Sequence, residues 1–513
     1  MLAKLRSMAV IGIDAFEVGI EADISEMLPS FTIVGLPDNA VRESRERVLS
    51  AIKNAGYVFP ARKVTINMSP ADIKKEGSAF DLPIALGLLA ASGQIAPYDL
   101  ENYCIIGELS LDGTVKKVNG ALPIAISART HPIDGLVLPR ECAREASVAE
   151  GLSIFPVGSL GEAIDFFCAT EKPAAHRVDI SSLFARSRHY MNDFFDVKGQ
   201  EHLKRAMLVA AAGAHNLLMV GPPGSGKTMI ARRIPSILPE LTLDEALETT
   251  KIHSVAGFLD QHTPLIATRP FRSPHHTISD AGVIGGGSTP RPGEVSLSHH
   301  GVLFLDELPE FNKNALENLR QPLEDGKVTI SRAVISITYP ATFMLVAAMN
   351  PCPCGYYTDP RRECTCTPYK IQRYMAKISG PLMDRIDIHV EVPSLSYEEL
   401  TKKQPGESSA SMRERVTASH AIQSTRFADE PRVHANAHMQ SRHLRRWCGL
   451  SKESHSLLKN AINRLALSAR AYDRILKVSR TIADVEGQQD IAVAHVAEAI
   501  QYRTLDRKLW IAG

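Results

Sequence analysis

The chain has no apolar stretch approaching the ~20 residues that a membrane-spanning helix needs. It also has almost no net charge: 58 basic and 57 acidic side chains leave +1 over 513 residues. That excludes a strongly basic protein but not a nucleic-acid binder, because local patches matter more than totals. A cleavable leader is not expected either. Met1-Leu-Ala-Lys-Leu-Arg6 opens like one, but Asp14 and Glu17 interrupt the apolar region and no small-residue cleavage site follows. Internal repeats and long low-complexity segments are likewise absent. A cytoplasmic protein of ordinary globular composition is expected. Its length is too great for one core, so about two to four domains follow.

What is present begins with Gly221-Pro222-Pro223-Gly224-Ser225-Gly226-Lys227-Thr228, a complete phosphate-binding loop. An apolar run precedes it and a helix-compatible stretch follows, so the context is strand, Gly-rich turn, helix. Such a turn lets backbone N–H groups close around phosphate oxygens at a helix start. Lys227 would reach the β- and γ-phosphates of ATP, and Thr228 would hold Mg²⁺. Further on, Gly301-Val-Leu-Phe-Leu-Asp306-Glu307 is an apolar strand ending in two carboxylates. Asp306 can support the Mg²⁺ shell, and Glu307 can polarise the attacking water. A third apolar strand ends at Asn350, where an amide could orient that water. This order of motifs resembles the AAA+ ATPases, and the resemblance makes Asn350 the sensor 1 residue.

Eight cysteines divide into four scattered ones and a cluster: Cys352-x-Cys354, a nine-residue gap, then Cys364-x-Cys366. In a reducing compartment four close thiols fit a zinc site better than disulfides. Thiolates can surround Zn²⁺ tetrahedrally and fold a loop with little core of its own. Unligated surface thiols remain the alternative.

Along the chain, strand-like and helical runs alternate up to about residue 170, which predicts a mixed α+β domain. A linker is expected over 171–194 and an α/β ATPase core over 195–393. Helical patterns at 412–427, 441–447, 451–472, 474–486 and 491–505 predict an all-α lid within 394–513, after a loop at 405–411.

Two segments of the first domain resemble the proteolytic domain of Lon, a ribosomal S5 domain 2-like fold. They are Lys74-Lys-Glu-Gly-Ser-Ala79-Phe-Asp81 and Gly107-Glu-Leu-Ser-Leu-Asp-Gly113, the latter continuing to Gly120-Ala-Leu122. Residue on residue, Ala79 falls where Lon has its nucleophilic serine and Leu122 where it has the dyad lysine. No alcohol lies next to a depressed-pKa amine, so no peptidase chemistry is expected.

Roughly 80 residues separate the phosphate loop from Asp306, more than a minimal crossover requires. They are rich in Gly and Pro. Two β-branched runs then flank Ser331–Ala333 and predict a β-hairpin. Both insertions resemble the magnesium chelatase and minichromosome-maintenance branch of AAA+ proteins. In that branch such loops face a central pore, which makes Lys327 and Arg332 candidates for DNA phosphate contact. The resemblance also makes Arg385, in Ser379-Gly-Pro-Leu-Met-Asp-Arg385, an arginine finger acting on a neighbouring subunit. It makes Arg470 the sensor 2 residue, with Arg474 as the alternative. His275, His276, His299 and His300 lack carboxylate or thiolate spacing and are expected to be structural.

Taken together, these features resemble the bacterial YifB/ComM family of Mg-chelatase-like proteins over nearly the whole chain. The resemblance implies a homo-hexameric helicase ring that hydrolyses ATP with Mg²⁺ and drives branch migration on single-stranded or branched DNA during natural transformation. The residues alone support a ring ATPase. A chelatase-like or protein-remodelling motor is the alternative.

Overall fold

The computed structural model describes residues 2–186, 190, 192–260, 262–287, 290–332, 336–357, 359, 361–394, 406–430, 433–465 and 467–505. They form two compact units, one of residues 1–187 with 246–266, the other of 188–245 with 267–513. Among the described residues no helix is long and apolar enough to cross a membrane.

The first unit is built on a seven-stranded mixed sheet. Its spatial order is Ser30–Val34, Lys63–Ser69, Asp14–Ser25, Leu2–Ile11, Tyr103–Ile105, Gly135–Pro139 and Ile154–Val157. Leu2–Ile11 and Asp14–Ser25 pair as an antiparallel hairpin, and the last three strands extend the sheet in parallel. Val18, Ile20, Ala22 and Ile24 are buried in alternation along Asp14–Ser25, the period of a strand with one face in a core. Helix Asp81–Ala91 is apolar around almost its whole circumference and buries ten of its 11 residues, as a helix inside a core must. Its one charge, Asp81, is gripped by Arg47 at 2.6 and 3.0 Å.

Ala79 precedes that helix, and its carbonyl accepts from Gly107 N–H at 2.8 Å. The neighbouring Ser78 hydroxyl donates to the Glu108 carboxylate. Leu122 is fully buried, and its N–H donates to Glu145 at 2.9 Å. The same Glu145 oxygen accepts from Ser254 Oγ at 2.5 Å. Ser254 belongs to 246–266, a segment that the sequence places between the phosphate loop and Asp306 but that packs in this unit. Lys117 Nζ donating to the Leu259 carbonyl, Lys251 Nζ lying 3.5 Å from Asp14, and Gly257 lying against Asn119 add to its attachment.

The second unit carries a five-stranded parallel sheet in the order Phe271–Arg272, Val302–Leu305, Met344–Met349, Leu217–Val220 and Ile388–Glu391. The three central strands are buried at every residue, the pattern of a parallel sheet covered on both faces. Asn216 ties the amino ends together: its side chain accepts from Leu345 N–H at 2.8 Å and donates to the Arg385 carbonyl at 2.9 Å. The predicted hairpin is present as Lys327–Ser331 paired with Ser336–Pro340. Residues 333–335 of its turn lie outside the described residues.

Helices dominate after residue 406: Ser409–Arg426, Ser441–Trp447, Lys452–Leu465, Ala469–Val485 and Val493–Gln501. The loop expected up to residue 411 ends sooner, because Ser408 caps the first helix by accepting from Ser411 N–H. Pro405 is outside the described residues. The single helix expected over 451–472 is two, since Ser468 is extended and its hydroxyl caps the helix from Ala469 by accepting from Ala471 N–H. The lid docks on the core through a buried relay. Asp387 pairs with Arg474 at 2.8 Å and with His215 Nδ1 at 3.0 Å, while His215 Nε2 meets Thr481 Oγ1 at 2.7 Å.

Candidate nucleotide site

The carboxyl ends of the three central strands bring the sequence motifs to one place. Val220 pairs with Met349 and Leu305 with Ala347, so the phosphate loop, Asp306 and Asn350 all leave the sheet at neighbouring strand ends. This is where open parallel sheets place their ligand crevices. Gly226, at φ +88°, turns the loop into helix Lys227–Ala231 through a conformation that side-chain-bearing residues avoid.

Lys227 is buried beneath the loop. Its ammonium donates to the carbonyls of Gly221 at 2.8 Å and Pro222 at 2.9 Å, and to Asn350 Oδ1 at 3.3 Å. Burial pulls its pKa down to about 8, against the attraction of Asp306 and Glu307. Thr228 Oγ1 donates to Asp306 Oδ2 at 2.6 Å. Glu307 is more than half exposed and sits at φ +54°, turning its carboxylate off the strand axis. A cationic group held under the glycine-rich loop, with a hydroxyl and a carboxylate already in contact, suits a magnesium-bound triphosphate.

Two further residues join the site: Gln200, which no sequence motif singled out, and His276, one of the four histidines expected to be structural. Gln200, itself at φ +55°, donates from Nε2 to the Ser225 carbonyl at 2.7 Å. His276 Nδ1 lies 3.3 Å from a Glu307 carboxylate oxygen. The other three histidines of the two pairs have local partners: His275 meets Thr277, His299 accepts from Thr342 N–H, and His300 lies 3.6 Å from Glu245. A lone Gln carries no spacing signal and the His275-His276 pair pointed to no particular partner, so only the fold places these two beside the phosphate loop and Glu307.

Arg385 and Arg470 are elsewhere. Arg385 sits by Asn216, at the amino end of the sheet, and is 7% exposed. Its guanidinium donates to Glu324 and, at 2.6 Å, to the Pro381 carbonyl. Arg470 is 60% exposed and 3.6 Å from Asp384, the residue before Arg385. Burial is the first cause lowering the Arg385 pKa, and the positive charges of Arg320, Arg470 and Arg474 add to it. Lys327 is exposed on the outer face of the hairpin, where Val328 and Ile330 face in, and Arg332 is exposed at its turn.

The sulfurs of Cys352, Cys354, Cys364 and Cys366 all lie within 4.8 Å of one another, a set that can bind zinc. The backbone N–H of Tyr356 is the main reason the Cys354 thiol falls to about 6, which favours a thiolate there at neutral pH.

The profile described as "Magnesium chelatase, subunit ChlI" matches residues 193–400, "Subunit ChlI of Mg-chelatase" matches 20–142, and the subunit's C-terminal profile matches 406–503. Competence protein ComM of Haemophilus influenzae is 44% identical over 511 residues, covering 99% of this chain and 98% of its own. This chain belongs to the YifB/ComM family. YifB of Salmonella typhimurium is 43% identical over 512 residues, with the same coverage of both chains. Lon protease 2 of Bacillus subtilis is 32% identical over 161 residues, 28% of this chain and 27% of its own length. As a YifB/ComM member the protein is a Mg-chelatase-like AAA+ ATPase. It has a Lon-like first domain, a parallel five-stranded core sheet and a helical C-terminal region. The family chemistry is ATP hydrolysis with Mg²⁺.

Proposed function

We propose that this protein is a ring-forming ATPase that remodels DNA, with branch migration during recombination of incoming DNA as its task. The observation that carries the ATPase half is the meeting of Lys227, Thr228, Asp306, Glu307 and Asn350 at adjacent strand ends. The DNA half rests on 44% identity along the whole chain to a protein named for competence.

Backbone N–H groups of Gly224, Ser225 and Gly226 bind the phosphates, while Pro222, Pro223 and Gly221, whose N–H donates to the Met349 carbonyl at 3.2 Å, shape the turn. Lys227 exchanges its loop carbonyls for phosphate oxygens. Thr228 and Asp306 hold Mg²⁺, which supplies neutralisation of phosphate charge when bound. Glu307 turns from His276 towards a water and accepts its proton, while Asn350 orients that water. Arg385 and Arg470 act on the site of a neighbouring copy, because their own phosphate loop is at the other end of the sheet. Lys327 and Arg332 offer phosphate contacts from one exposed hairpin face.

ATP hydrolysis is measured with no DNA and with single-stranded, duplex and branched DNA, on wild type and Glu307→Gln. Stimulation by DNA that vanishes in the variant while nucleotide still binds is the expected result. Turnover indifferent to every DNA would replace this reading with a chelatase-like or protein-remodelling motor.

A further inference from the structure

The cysteine cluster is adjacent to the phosphate loop. Cys352 is fully buried and follows Asn350 by two residues. The loop that begins there turns at Gly355, at φ +87°. A Cβ at that glycine would fall 2.5 Å from Cδ of Pro223, inside the phosphate loop. The neighbouring Pro222 carbonyl is one of the two that hold Lys227. The cysteine loop is therefore packed directly on the backbone that frames the nucleotide, and it is continuous with the strand that presents Asn350.

Among the described residues of this loop, two further polar contacts help hold it: Arg362 donates to Tyr356 Oη at 2.6 Å, and Ser394 Oγ donates to Asp359 at 3.3 Å. Pro353, Arg361, Arg362, Glu363, Thr365 and Thr367 are exposed or nearly so, and the apolar burial is confined to its first residues. The sulfurs supply what a core does not. Cys352 Sγ lies 3.3 Å from Cys354 Sγ and 3.7 Å from Cys364 Sγ, and the latter two are 3.5 Å apart. Four thiolates at ~2.3 Å from a shared tetrahedral centre would be separated by ~3.8 Å, so closure on a metal needs only small movements. Backbone N–H groups already point at three of the sulfurs: Tyr357 donates to Cys352 and Cys366 to Cys364, each at 3.4 Å, and Tyr356 to Cys354. Such donors orient thiolate ligands in metal sites.

We propose that the four thiolates bind one Zn²⁺ and that the metal-closed loop braces Pro223 and Asn350, so that zinc occupancy sets the affinity for nucleotide. Zinc here does no chemistry on ATP. It fixes the wall against which the phosphate loop is folded. The proposal rests on the nucleotide reading above.

Metal content per chain and the Kd for a fluorescent ATP analogue are measured together, with thermal melts, on four proteins. These are the wild type, Cys364→Ser/Cys366→Ser, Gly355→Val and, as a thiol control, Cys168→Ser. Wild type and Cys168→Ser should carry about one zinc per chain and bind the analogue equally. The double variant should lose zinc and bind at least tenfold more weakly. Gly355→Val keeps all four ligands, so it should retain zinc yet bind the analogue more weakly, because its side chain meets Pro223. That second variant separates the brace from simple unfolding of the loop. A wild type that purifies without zinc and takes none up in titration overturns the metal site. Zinc-free protein, or Gly355→Val, with unchanged Kd overturns the coupling while leaving the nucleotide reading intact. Zinc-loaded wild type that binds no analogue at all overturns both.

Discussion

Lys227 is the residue on which the nucleotide site depends most, and its environment makes a prediction about pH. Burial lowers its pKa from 10.5 to about 8, with Asp306 and Glu307 pulling the other way. Below pH 8 the ammonium is already charged, and binding a triphosphate takes up no proton. Above pH 8 the empty site holds a neutral amine. Phosphate oxygens restore the ordinary pKa, so binding must recruit a proton from solution. The Kd for Mg–ATP should therefore be flat from pH 6.5 to 7.5 and rise by about tenfold per unit above 8 until the ordinary lysine pKa is reached. Fluorescence titration of an ATP analogue from pH 7 to 9.5 measures this, and Lys227→Ala should bind weakly with no such slope. A slope that survives in Lys227→Ala would assign the proton to another group. Glu307→Gln should leave affinity near wild type, since its carboxylate lies off the loop and is more than half exposed.

Elements differ in how far their own residues determine them. The three buried core strands were legible because an unbroken apolar run followed by Gly, Asp-Glu or Asn states both the strand and its end. The hairpin was legible from its two β-branched runs, and in it Val328 and Ile330 face inward while Lys327, Thr329 and Ser331 face outward. The break before Ala469 was missed because the helical periodicity runs through it, and a Ser at a cap looks the same as a Ser on a helix surface. The place of 246–266 was not legible either. It depends on Glu145, 109 residues away in sequence from Ser254, and no local pattern encodes such a partner. The lid relay is of the same kind, and it can be tested. Burial opposes the charge on Asp387, but Arg474 and His215 outweigh it and hold the carboxyl below its usual range. Asp387→Ala leaves fully buried His215 and partly buried Arg474 unmatched and should cost about 3 kcal/mol in the second unit. Asp384→Ala removes a carboxylate that is a third exposed and 3.6 Å from Arg470, and it should cost under ~1 kcal/mol. Denaturant melts followed by Trp447 fluorescence compare the two. Equal losses would mean the relay does not anchor the lid.

At the scale of the whole molecule, the two candidate arginines lie at the opposite end of the core sheet from their own phosphate loop. The phosphate loop leaves the sheet after Val220, whereas Arg385 precedes the strand that starts at Ile388, whose first residue pairs with Leu217. The strand from Leu217 to Val220 alone spans about 10 Å, so the two ends of the sheet are beyond the reach of one side chain once the loop and turns are added. Arg470 shares the Arg385 end through Asp384. If these arginines stabilise charge on a phosphate, that phosphate is bound by another copy, and copies related head to tail close into a ring. Arg385→Ala and Arg470→Ala should each therefore be inactive as homomers, as should Lys227→Ala. Mixed one to one with Lys227→Ala, either arginine variant should regain turnover. An interface is productive only when an intact loop from one variant meets an intact arginine from the other, which random assembly gives about a quarter of the time. Arg470 is the cleaner probe, because its side chain is largely in solvent and its loss should leave the melting curve unchanged. Arg385 is tied to Glu324 and Pro381, and it must be released from Glu324 to act. Recovery with Arg470→Ala but not with Arg385→Ala, alongside a lowered melt for the latter, would make Arg385 a brace for its own chain and Arg470 the residue that crosses the interface. Absence of recovery with both, at any ratio, would mean that each chain completes its own site.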